Sequence, residues 1–159
     1  MIPVNAPVVP PEAKQYINDC LDTGWISSAG KYLNEFEKQF AAYCGCTHGI
    51  AVCNGTVSLH VALAALGIGP GDEVIIPAMT IISCLNAVLY TGATPVIVDV
   101  EPDIYTIDPE QIKKALSPRT KAIMPVHIYG HPADMDPINE IAETHGLAVV
   151  EDAAEAHGA

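Results

Sequence analysis

Apolar residues recur along this chain in two rhythms. Over residues 31–43, Leu33, Phe36, Phe40 and Tyr43 follow the three- and four-residue spacing that makes one stripe of a helix. An earlier helix is predicted over residues 11–21. Pro10-Pro11-Glu12 opens it where a missing N–H costs nothing, Asp22-Thr23-Gly24 ends it, and residues 1–9 before it read as extended. Elsewhere short apolar runs rich in β-branched residues predict strands at 49–53, 73–77, 95–100, 121–126 and 147–150. The β-branched run at 73–77 suits a strand buried on both faces. Helices are predicted between them at 57–66, 80–90, 109–116 and 138–145, with Asp108 placed to cap the third and Gly67 and Gly146 closing the first and last. Strand and helix alternate through short links, with no internal repeat or linker. The chain is therefore expected to be a single α/β domain, its parallel or mostly parallel sheet covered by helices on its faces.

Composition narrows the partners. Half of the residues are hydrophobic and the mean hydropathy is +0.27, so a packed core is within reach. Seven Lys and Arg face 19 Asp and Glu, a formal charge of −12 with no basic cluster, which argues against a nucleic-acid partner. No apolar run approaches the roughly 18–20 residues of a membrane helix. Met1-Ile2-Pro3-Val4-Asn5 lacks the charged start and apolar core of a signal peptide, so a cytoplasmic protein is expected. Cys20, Cys44, Cys46, Cys53 and Cys84 form no CxxC pair and read as free thiols rather than a disulfide or zinc framework.

The candidate chemistry sits where strands end. The run Leu147-Ala148-Val149-Val150 delivers Glu151-Asp152-Ala153-Ala154-Glu155 to the strand's C-terminal end, where open α/β sheets place ligands. A carboxylate there, among alanines small enough for a flat ring to lie close, suits a heteroaromatic cofactor with a protonated ring nitrogen. At about 3 Å and an effective dielectric near 20, the attraction is roughly 5 kcal/mol before desolvation. Asp152 is the candidate; it could equally cap a following turn. Asn54-Gly55-Thr56 turns a strand into a helix whose free N–H groups and positive dipole end form a ready phosphate site, although Asn54 or Thr56 could serve simply as an N-cap. In a parallel sheet the two sites share one edge. The loop around Trp25, the only tryptophan, and Ser27 is either a surface turn or a ligand loop. His127 and His131 have a spacing that would suit a metal only on a helix, which Gly130 and Pro132 oppose. Asp134 and Asp136 lack the glycine and glutamate of a calcium loop and read as helix-start acids, so no metal is expected.

Taken together, these marks resemble the DegT/DnrJ/EryC1/StrS sugar aminotransferases. The resemblance runs through the loop 24–30, the helix containing Phe36 and Phe40, Asn54-Gly55-Thr56 with Leu59, Gly69-Pro70-Gly71-Asp72-Glu73-Val74, Gly92-Ala93-Thr94-Pro95-Val96, Pro125-Val126-His127 to Gly130, Pro132-Ala133-Asp134-Met135-Asp136 and Glu151-Asp152-Ala153-Ala154. It implies the N-terminal part of the three-layer α/β large domain of fold type I, the aspartate aminotransferase fold, and pyridoxal 5'-phosphate as cofactor. It also implies that Gly55 and Thr56 hold the cofactor phosphate, Asp152 pairs with the pyridine nitrogen, Ile81 packs on the ring and Glu155 approaches the ring hydroxyl. Trp25 and Ser27 would help receive a nucleotide sugar. The implied reaction moves an amino group from glutamate to a nucleotide-linked 4-keto-6-deoxy sugar for polysaccharide synthesis, in a homodimer.

Two departures accompany the resemblance. Ile81 stands where many relatives carry an aromatic residue, which forfeits about 0.5–1.5 kcal/mol of stacking. None of the six lysines matches the family's Schiff-base lysine, which lies beyond the Asp-Ala-Ala element. The expectation is thus a piece of a roughly double-length enzyme, inactive alone, whose sheet lacks two strands between 49–53 and the strand ending at Asp152. A sugar dehydratase of the same family, or a non-catalytic binding module, are the alternatives. A nicotinamide domain is disfavoured because no GxGxxG follows a strand.

Overall fold

Four of the predicted strands pair side by side in a computed structural model that describes residues 6–159. They are β1 (Glu73–Pro77), β2 (Thr94–Val98), β3 (Thr120–Ile123) and β4 (Ala148–Val149), in the order β2-β1-β3-β4. Every pairing is parallel, with Ile75 opposite Val96, Val74 opposite Ala122 and Ile123 opposite Val149. The sheet lies in the unit Val52–Ala159; the other unit, Met1–Ala51, holds α1 (Pro11–Thr23) and α2 (Lys31–Tyr43). The first five positions of the stretch expected to be extended, and with them the signal-peptide reading, lie outside the described residues.

Period-two alternation on a doubly buried sheet explains the layers. Val74 and Ile76 of β1, with Ala122 and Met124 from β3 and the residue after it, meet Leu59 and Leu63 of α3 (Gly55–Ala65) and Cys84, Ala87 and Val88 of α4 (Ile82–Thr91). Ile75, Val98 and Ile123 point the other way, onto Ile112 of α5 (Pro109–Ala115) and Ile138, Ile141 and Ala142 of α6 (Met135–His145). Helices on both faces of a parallel sheet make the three-layer α/β arrangement that the strand–helix alternation predicted. No helix among the described residues is long and apolar enough to cross a membrane.

The strand expected at 49–53 does not form. Ala51 N–H donates instead to Glu37 Oε1 at 2.8 Å, and a Cβ on Gly49 would stand 2.5 Å from the Glu37 carbonyl oxygen, so this segment is tied to α2 rather than to a ladder. Ile50 is 78% exposed. Two helices start earlier than expected. The third begins at Gly55 because Asn54 accepts from Val57 N–H at 3.0 Å as its N-cap. The sixth begins at Met135, with Pro137 in its first turn, where a proline interrupts no bond. The fourth begins later, at Ile82, with Ile81 still extended. Pro125 cannot donate to a ladder, which ends regular β3 before the predicted position 126.

Leu63 is fully buried between α3 and the sheet. Leu63→Ala is expected to cost about 2–5 kcal/mol by denaturant titration; a loss under about 1 kcal/mol would contradict this core.

Candidate functional site

Because β1, β3 and β4 run parallel, their chain exits gather at one edge of the sheet. After β4 the chain continues alongside the extension of β3: Asp152 N–H donates to Pro125 O at 2.9 Å, and His127 N–H donates to Asp152 O at 3.0 Å. These two bonds, one on each side of the same residue, hold the Asp152 backbone. Around it lies a cavity of about 300 Å³ lined by Thr56 and Ser83 from two helices, Ile81, and Asp152 and Glu155. Its size is at the lower end for small-molecule sites.

One wall is the start of α3. Helix geometry leaves the N–H groups of Gly55 and Thr56 without an intrahelical acceptor, while Asn54 occupies that of Val57. Thr56 Oγ1 donates to Ser83 Oγ at 2.9 Å, so the Ser83 hydroxyl keeps a proton to offer. A Cβ on Gly55 would meet nothing within 4 Å, which leaves space above these donors. An anion fits here, since amides, a hydroxyl pair and the positive helix end converge.

The opposite wall is acidic. Asp152 Oδ1 accepts from Ala154 N–H at 3.2 Å, and Oδ2 lies 3.1 Å from the Cys84 thiol, which donates to it. Each carboxylate oxygen retains an unused lone pair. Thr80 Oγ1 donates to Cys84 Sγ at 3.0 Å. Burial, partly offset by the Thr80 hydrogen bond and reinforced by Asp152, pushes the Cys84 thiol up to about 12. Glu155 Oε2 accepts from Tyr129 N–H at 2.7 Å, supporting a turn in which Tyr129 takes φ 52°. His127, buried, accepts from Ala133 N–H at Nδ1 (3.0 Å); its proton therefore sits on Nε2, 3.0 Å from Glu151 Oε2. Both nitrogens of the His127 ring are thus engaged within the protein.

The structure thus brings Gly55, Thr56, Ile81, Asp152 and Glu155 to one cavity. Trp25 and Ser27 belong to the N-terminal unit, where with Asp19, Tyr32 and Phe36 they line a mainly apolar cavity of about 520 Å³. Lys31 Nζ pairs there with Asp19 Oδ2 at 2.7 Å and lies over the Tyr32 ring. Sequence reading missed Ser83 and Cys84. Their only signal was a serine and a cysteine in the first turn of a helix that follows a buried strand.

A family model described as the DegT/DnrJ/EryC1/StrS aminotransferase family matches residues 8–159. GDP-perosamine synthase of Caulobacter vibrioides is 55% identical over 158 residues, 99% of this chain and 43% of that protein. The solved aminotransferase from Psychrobacter cryohalolentis superposes with a TM-score of 0.91 at 40% identity, over 96% of this chain and 39% of its own. That of ntda from Bacillus subtilis with bound cofactor pmp gives 0.88 at 40% identity, over 95% and 35%. The chain spans less than half the length of these relatives.

The thiols should separate by reactivity. Cys44, Cys46 and Cys53 are exposed, whereas Cys84 is buried, and at pH 8 only roughly one in ten thousand Cys84 groups would be thiolate. Alkylation at pH 8 should therefore label the exposed three and spare Cys84 until unfolding; rapid native labelling of Cys84 would contradict the geometry. Its raised value also sets a sign. The folded state holds this proton more tightly, so stability is unaffected below the ordinary thiol value of 9.0 and falls as pH rises from there toward 12.

Proposed function

The chain belongs to the DegT/DnrJ/EryC1/StrS aminotransferase family, and from that premise we propose that it forms the N-terminal part of the large, cofactor-binding domain of a nucleotide-sugar aminotransferase that uses pyridoxal 5'-phosphate. The observation that carries this reading is a single cavity with anion-binding donors on one side and a carboxylate on the other. That donor set matches a ligand with a phosphate at one end and a basic ring nitrogen at the other.

In this reading Gly55 and Thr56 offer backbone N–H groups to the phosphate, and the Thr56 and Ser83 hydroxyls extend the cradle. Ile81 supplies an aliphatic surface for the ring. Asp152 accepts from the ring N–H and keeps that nitrogen protonated at neutral pH. Glu155, which supports the Tyr129 turn through Oε2 and lines the cavity, would serve the ring hydroxyl. When bound, the cofactor supplies an electron-withdrawing ring that carries an amino group from donor to ketone. No lysine lines this cavity among the described residues, so in this reading the anchoring amine would come from outside them.

The substrates in this proposal are glutamate and a nucleotide-linked 4-keto-6-deoxy sugar of the perosamine type, as the name of the Caulobacter relative suggests. Trp25 and Ser27 line a largely apolar cavity suited to part of the sugar nucleotide. The working protein is read as a cytoplasmic homodimer without nucleic-acid or membrane partners. Exposed free thiols at Cys44, Cys46 and Cys53 fit a reducing compartment, and the acidic charge of −12 disfavours phosphate-backbone partners.

The test is cofactor titration of the complete polypeptide, followed by visible absorption. Asp152→Asn should weaken binding of pyridoxal 5'-phosphate at least about tenfold, the scale of a lost charge-assisted bond. Wild-type affinity in that variant would overturn the role of Asp152, and no binding by the wild type would overturn the cofactor reading.

A further inference from the structure

Cys84 is fully buried, 68 positions before Asp152 in the chain, yet its sulfur sits 3.1 Å from Asp152 Oδ2. It stands on the first turn of α4, directly after β1, and the Thr80 hydroxyl donates to it at 3.0 Å. The order of donation is fixed by chemistry. An ionised carboxylate can only accept, so the thiol must donate to Asp152, and its sulfur is then the acceptor for Thr80. The opposite carboxylate oxygen is taken by Ala154 N–H. Two donors on the two oxygens fix the plane of the carboxylate. A thiol is a weak donor, so it orients the group while leaving most of its charge unspent.

We infer that Thr80 and Cys84 form a hydrogen-bonded relay in which the Cys84 thiol is a positioning residue, aiming the Asp152 carboxylate at the ring nitrogen of the bound cofactor. This rests on the cofactor reading above, but the contact itself can be examined without cofactor. Burial supports it, because a thiol that stays protonated throughout the working pH range remains a donor. A thiol present only to fill the core would need its volume alone.

Cys84→Val and Cys84→Ser separate the two roles in the complete polypeptide. Valine removes the donor and is slightly larger than cysteine; serine keeps a donor and is slightly smaller. The expected result is that Cys84→Val raises the dissociation constant for pyridoxal 5'-phosphate about tenfold while still unfolding in one cooperative transition, and that Cys84→Ser stays within about threefold of wild type. Wild-type affinity in Cys84→Val, or a loss in Cys84→Ser as large as in Cys84→Val, would overturn the inference. Without cofactor, the infrared S–H band that disappears in Cys84→Ser should lie at lower frequency in the wild type than in Asp152→Ala. An equal frequency in both would overturn the contact. Should the wild type bind no cofactor, the cofactor reading fails, and this band still decides whether the relay exists.

Discussion

Two backbone hydrogen bonds, one entering and one leaving Asp152, are what the site depends on. They extend the parallel ladder past the ends of β3 and β4, where Pro125 has interrupted regular pairing, and so hold an acidic residue at an edge that would otherwise be loop. The rest follows from sheet polarity. With every strand pointing the same way, the turn after β1, the turn after β3 and the residues after β4 open onto the same rim, and α3 presents its first turn to them. The helices on the two faces keep that rim in place by burying Val74, Ile75 and Ile76 from both sides.

The electrostatics of the rim are divided in space. Donors collect at the start of α3, where the helix dipole is positive, and acceptors collect after β4. A ligand carrying its negative charge at one end and a protonated nitrogen at the other meets favourable fields at both. The carboxylate accepts from two donors, Ala154 N–H on one oxygen and the Cys84 thiol on the other. His127 is spent elsewhere, clipped between Ala133 N–H and Glu151, and so is not a competing proton donor to Asp152.

Much of this was readable from residue order. The β-branched run after Glu73 announced a doubly buried strand, and the acids after Val150 marked a strand exit. Asn54-Gly55-Thr56 was readable because capping chemistry is local. What could not be read was long-range. The run 49–53 has strand composition, but the Glu37 carboxylate and backbone claim it, and composition carries no information about that partner. Cys84 was invisible for the same reason: its importance comes from a contact 68 residues away. Ser83 acquires its role only when α4 is laid beside α3.

The Caulobacter, Psychrobacter and Bacillus proteins are matched over almost all of this chain and less than half of theirs, and the matched span includes every residue of the rim. What Asp152 decides at this rim is the position of one proton. Nitrogen NMR of ring-labelled pyridoxal 5'-phosphate bound to the complete polypeptide at neutral pH measures it directly. The ring nitrogen should be protonated in the wild type and deprotonated when Asp152 is replaced by asparagine; a ring nitrogen without its proton in the wild type would contradict the role of Asp152.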